Sequence, residues 1–170
     1  MGSQMKLRVR LGPKHDCENP VIDEQHARVA RCIERLHAAH AAGRPKVTLA
    51  VLFEDLIEET ERHFTSEDCA MLSTDYPATD DHRRKHNELL QEAVGLFFDY
   101  RAGRRALDAE LFTELERWLL DHIADDDREL GRYLAAFAAA HPDVEVAYSV
   151  AELGAEPPPI PEDHPAAAEA

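Results

Sequence analysis

Five histidines in this chain stand where an apolar residue is expected. His26, His63, His82, His86 and His122 each interrupt a hydrophobic stripe at helical spacing. Glu67 continues the stripe of His63 one turn later. Taken singly, a histidine on an apolar face is most often a hydrogen-bonded core residue. Five of them with a carboxylate, spread over four segments, need a common explanation. Each unsatisfied polar group in an apolar core costs about 1–3 kcal/mol. A metal centre satisfies all of them together better than a network of protons does.

The spacings fit that chemistry. His82 and His86 are four apart, so both rings project from one helix face toward a single ion. His63 and Glu67 repeat the arrangement. His122 is followed by Asp125, Asp126 and Asp127. On an ideal α-helix Asp126 shares the face of His122, whereas Asp127 is rotated away by about 140°. Geometry alone selects Asp126 unless the helix is widened there. Five imidazoles and two carboxylates exceed a tetrahedral zinc shell. Cys17, Cys32 and Cys69 are scattered and form no CxxC, against both a thiolate zinc site and a disulfide framework. A mixed nitrogen and oxygen donor set suits iron or manganese. Two octahedral ions sharing two carboxylates and one solvent-derived bridge would fill about eleven of twelve positions. One position would stay open for a small ligand.

Four segments with helical periodicity must position these side chains, at about 20–41, 46–72, 80–102 and 107–139. Asn19-Pro20 reads as the cap and first turn of the first, Gly43 and Pro45 end it, and Thr48 can start the second. Strand signals are almost absent. The expected fold is all-α, an up-down-up-down four-helix bundle with the site at its centre. Residues 1–14 read as a short basic arm and 15–140 as the bundle. Residues 141–170 hold six of the ten prolines and read as a mostly disordered or loosely draped tail.

A formal net charge of -15 disfavours nucleic acid and anionic membrane surfaces as partners. No apolar run is long enough to span a bilayer, and Met1–Arg10 lacks a signal-peptide core, so the expected compartment is the cytoplasm. Glu34 and His37 form an E-x-x-H, but the proposed ligands do not repeat that motif on a second helix. No nucleophile triad, phosphate-binding loop or dinucleotide fingerprint is present.

Four motifs in order resemble the hemerythrin family, especially its bacterial members, across residues 15–137. They are Ile22-Asp-Glu-Gln-His26, His63-Phe-Thr-Ser-Glu67, Tyr76-Pro77 with His82-Arg-Arg-Lys-His86, and Trp118-Leu-Leu-Asp-His122 running on to Asp127. The resemblance implies a non-haem di-iron centre, bridged by carboxylates and an oxo or hydroxo group. His82, His86 and His122 would hold one iron. His26 and His63 would hold the other, which carries the open position. Glu67 and Asp127 would bridge, the family spacing selecting Asp127 over Asp126. The family's dioxygen pocket maps onto Val29, Phe64, Trp118, Leu119 and Ile123. The implied function is reversible O2 binding for transport, storage or sensing, without catalysis. The alternatives are an enzyme acting on O2, peroxide or NO at the same centre, and an iron-holding protein. The chain departs from the pattern in lacking a tryptophan near its start and in carrying the long Pro/Ala tail.

Overall fold

The computed structural model describes residues 7–153, and among these the regular structure is helical with no strand. Helix α1 spans Pro20–Ala41, α2 Lys46–Ser73, α3 Thr79–Arg101 and α4 Ala109–His122. A π-helical turn, Ile123–Asp127, joins α4 to α5, Arg128–Ala140, and a last short helix, α6, covers Val150–Leu153.

Local chemistry sets the helix ends. The Asn19 side chain accepts from the N–H groups of Val21 (3.1 Å) and Ile22 (3.2 Å), and Pro20 fills the first turn where its missing N–H is not needed. Gly43 takes φ +65°, which lets the Arg44 N–H return to the Ala39 carbonyl at 3.0 Å. Gly103 (φ +73°) closes α3 in the same way, with the Arg104 N–H 2.8 Å from the Asp99 carbonyl. Helix α2 begins at Lys46, two residues before Thr48, and has no side-chain cap. Asp108 caps α4 by accepting from the Leu111 N–H at 3.0 Å.

Short connections make consecutive helices antiparallel, and α1 packs on both α2 and α4 while α2 packs on α3. The bundle has an apolar layer at each end. One holds Leu36, Leu111 and Phe112, with Phe53 edge-on to Phe97 at 5.5 Å between ring centroids. The other holds Ile22, Met71, Leu130 and Leu134, with Tyr76 edge-on to Tyr133 at 4.9 Å. His26, His63, His82, His86 and His122 lie buried between these layers.

The N-terminal segment lies against the body. The Val9 N–H donates to Glu34 Oε1 at 3.0 Å, and Cys17 crosses α5 at Gly131 so closely that a Cβ there would meet the Cys17 carbonyl oxygen at 2.0 Å. After α5 the chain returns to the start of α1 and the end of α2. The Ala147 N–H donates to Ser73 Oγ (3.1 Å), and Asn19 Nδ2 donates to the Tyr148 hydroxyl (2.6 Å). Residues 1–6 of the expected arm and 154–170 of the expected tail, including its proline run, lie outside the described residues. No helix among the described residues is long and apolar enough to cross a membrane.

Candidate metal centre

Every helix of the bundle sends polar side chains into one region. Helix α1 supplies His26, α2 His63 and Glu67, α3 His82 and His86, α4 His122, and the π turn Asp127. All seven are buried, and Glu67 and Asp127 are completely so. The five imidazoles turn their Nε2 atoms toward the two carboxylates. His26 Nε2 is 3.0 Å from Asp127 Oδ2, and His122 Nε2 is 3.0 Å from Asp127 Oδ1. His86 Nε2 is 3.1 Å from Glu67 Oε2, while His82 Nε2 reaches both Glu67 Oε2 (3.3 Å) and Asp127 Oδ1 (3.2 Å). His63 Nε2 stands 3.8 Å from an oxygen of each.

The donors fall into two overlapping groups. Glu67, His82, His86, His122 and Asp127 form one; His26, His63, Glu67 and Asp127 form the other. Within each group the ligand atoms lie within 4.8 Å of one another. Both carboxylates belong to both groups.

The donor set fits bound cations. His63 Nε2, His122 Nε2, both Glu67 oxygens and Asp127 Oδ1 are buried and make no hydrogen bond. His82 Nε2 and His86 Nε2 face each other at 2.9 Å. Such a concentration of unmet lone pairs is unfavourable in an apolar core and is resolved by positive charge among them.

Protons fill that role when metal does not. Burial pulls His122 down, but the Asp127 carboxylate, with Asp126 and Glu67, outweighs it and raises the imidazolium to about 10. His82 is likewise opposed by burial and raised to about 9 through its contacts with Asp127 and Glu67. Burial and the neighbouring Asp127 push Glu67 up, yet His63, His82 and His86 bring it down to about 2. Asp127 is held well below the ordinary carboxylate range, with His122 the main cause opposing burial. For His63 burial prevails and lowers it.

The choice between Asp126 and Asp127 turns on backbone shape. The π turn adds width to the helix between His122 and Arg128, so the fifth residue after His122 faces inward. Asp126 points outward, where its Oδ2 lies 3.2 Å from His122 Nδ1 and its Oδ1 pairs with Lys85.

Sequence reasoning missed the groups behind the histidines. Gln25 Oε1 is 3.2 Å from His63 Nδ1, Asp68 Oδ1 is 3.5 Å from His86 Nδ1, and Cys17 Sγ is 4.0 Å from His26 Nδ1. Gln25 adjoins His26 and Asp68 adjoins Glu67 in sequence. That adjacency is their only sequence signal, because the contacts are made across helices.

Beside the cluster lies a small cavity of about 10 Å³, about the least that admits one water-sized molecule. Val29, Phe64, Trp118 and Leu119 line it, as do His63 and His122 and, outside the expected dioxygen pocket, Thr60 and Leu89. Ile123 is fully buried in the π turn and does not line this cavity. Phe64 stacks on His86 with ring centroids 3.8 Å apart. Trp118 also borders an open groove between α3 and α4.

Comparisons with known proteins give the family and the fold. The family model described as the hemerythrin HHE cation binding domain matches residues 19–134. The bacteriohemerythrin of Stenotrophomonas maltophilia (strain R551-3) is 30% identical over 125 residues, 71% of this chain and 80% of that protein. The bacteriohemerythrin of Pseudomonas aeruginosa (strain LESB58) is 33% identical over 107 residues, 63% of this chain and 69% of its own length. A crystal structure of a hemerythrin mutant superposes with a TM-score of 0.70 at 22% identity, covering 77% of this chain and 99% of that one. A wild-type hemerythrin structure gives 0.65 at 24% identity, covering 70% and 91%. The match covers both fold and sequence, and the chain belongs to the hemerythrin HHE cation-binding family.

Proposed function

We propose that the cluster holds two iron ions and that the protein binds dioxygen reversibly, for transport, storage or sensing. The observation that carries this reading is the sharing of Glu67 and Asp127 between both donor groups, which suits a bridged pair of ions rather than one. His82, His86 and His122 complete one position, and His26 and His63 the other. The second position has one imidazole fewer, which leaves room for an exogenous ligand. Ferrous iron, when bound there, supplies the electrons that dioxygen binding draws on.

The chain's own part is to orient donors and keep water out. Val29, Phe64, Trp118 and Leu119 give the adjoining cavity apolar walls, and the cavity is bordered by His63 of the two-histidine group and by His122 of the other. A dry, apolar wall withholds the protons and solvent that would turn binding into irreversible oxidation. The three cysteines are unpaired, which suits a reducing compartment, and we place the protein in the cytoplasm.

Elemental analysis of the purified chain tests the metal assignment, with two irons per chain expected. An optical cycle tests the function: a visible band that appears in air, fades under argon and returns with air supports reversible binding. A colour change that argon never reverses identifies turnover of O2 instead, and absence of iron after reconstitution ends the proposal.

A further inference from the structure

The histidines of this centre differ in what stands behind them. An imidazole that binds a cation through Nε2 carries its proton on Nδ1, and the group accepting that proton sets the orientation and basicity of the ring. His122 Nδ1 is 3.2 Å from Asp126 Oδ2, and His86 Nδ1 faces Asp68 Oδ1 at 3.5 Å. Each carboxylate is braced from outside by a cation, Asp126 by Lys85 and Asp68 by Arg83, whose Nε lies 3.0 Å from Oδ2. Two of the three histidines in one donor group are therefore backed by negative charge.

In the other donor group neither histidine has a carboxylate within 4.0 Å of Nδ1; an Asp23 oxygen stands within 4.8 Å of a His26 ring nitrogen, but that carboxylate accepts from the N–H groups of Cys17 and Asn19. His63 Nδ1 meets the amide oxygen of Gln25 at 3.2 Å, and His26 Nδ1 meets the sulfur of Cys17 at 4.0 Å. Gln25 is itself held: its Nε2 donates to Ser66 Oγ at 2.8 Å, which fixes Oε1 toward His63. Both Gln25 and Cys17 are buried, so bulk water does not replace them as partners. A carboxylate draws the Nδ1 proton toward itself and enriches Nε2 in electron density. An amide oxygen does so only with its partial charge, and a sulfur at 4.0 Å does so weakly.

We propose that Gln25 is a positioning residue that sets the His26/His63 position at an intermediate affinity, firmer than an unbacked imidazole would give and weaker than a carboxylate would give, beside a tighter site at His82, His86 and His122. The inference rests on the two-ion reading above. An extra histidine by itself orders the two positions in affinity; only the response to the residue behind His63 isolates the outer partner. Partners of this kind typically change metal affinity by about 10–100-fold.

Cobalt(II), titrated into the metal-free full-length chain against a competing chelator, reads both steps without dioxygen or activity. The wild-type chain should take up two ions, the second more weakly. Gln25→Glu should tighten the second step by about 10–100-fold and leave the first nearly unchanged. Gln25→Ala, which introduces no buried charge, should weaken the second step by a similar factor. Asp126→Asn should weaken the first. A second step that ranks otherwise than Glu above Gln above Ala, in variants whose helical circular dichroism is retained, overturns the proposal. Should Gln25→Glu fail to fold, an unchanged second step in Gln25→Ala overturns it alone. Uptake of fewer than two ions by the wild-type chain refutes the two-ion reading itself, and is distinguishable because it appears before any substitution is made.

Discussion

His122 and Asp127 are five residues apart, yet His122 Nε2 lies 3.0 Å from Asp127 Oδ1 inside the bundle. The π turn across Ile123–Asp127 brings them together, and it turns Asp126 toward Lys85 at the surface. The two adjacent aspartates should respond differently to removal. On the proposed two-ion reading, Asp127→Ala should cost at least one of the ions. Asp126→Ala should keep both while weakening the tighter by about 10–100-fold. Metal content after gel filtration, followed by chelator competition, distinguishes them.

The metal-free protein should depend on pH in a definite direction. His82 and His122 are raised to about 9 and about 10, above the usual value near 6.5. Their contribution to stability is fully present below pH 6.5 and is lost as the pH rises through 9 and 10. Glu67, lowered to about 2, contributes at neutral pH and loses that contribution as the pH falls toward 2. Thermal unfolding of the metal-free chain should therefore occur at falling temperature between pH 7 and 10. The loaded protein should lack this alkaline decline, because metal has replaced those protons.

Two glycines should behave in opposite ways. A Cβ on Gly131 meets the Cys17 carbonyl oxygen at 2.0 Å, so Gly131→Ala must push the N-terminal segment off α5 and should destabilise by about 1–3 kcal/mol. Gly95 is exposed in α3 with nothing within 4 Å of an added Cβ. Gly95→Ala should stabilise by up to about 1 kcal/mol. Denaturant titration of both variants measures the contrast.

Trp118, with Leu89 and His122, borders both the small inner cavity and an open groove of about 370 Å³ that carries Lys85, Arg117 and several carboxylates. Trp118→Ala should join the two and admit water. The lifetime of the oxygenated protein should then shorten on the order of tenfold, about 1.4 kcal/mol of barrier. Trp118→Phe should stay near wild type. Decay of the visible band after exposure to air provides the measure.

Sequence alone determined the bundle, its helix limits to within a few residues, and five of the six histidines that are buried among the described residues, His15 being the exception. The reason is local. Hydrophobic periodicity and end signals such as Asn19, Gly43 and Gly103 act over a few residues, and a polar side chain on an apolar stripe is visible wherever it occurs. His63 with Glu67 and His82 with His86 needed only helix geometry to share a face. Tertiary structure decided what depends on departures from that geometry or on contacts between helices. An ideal helix favours Asp126, and only the widened turn brings Asp127 inward. The partners behind the imidazoles, Gln25 for His63 and Asp68 for His86, are a helix away from the rings they serve or turned aside from their neighbours in sequence. Such pairings are set by how whole helices pack, which no spacing along one chain segment encodes.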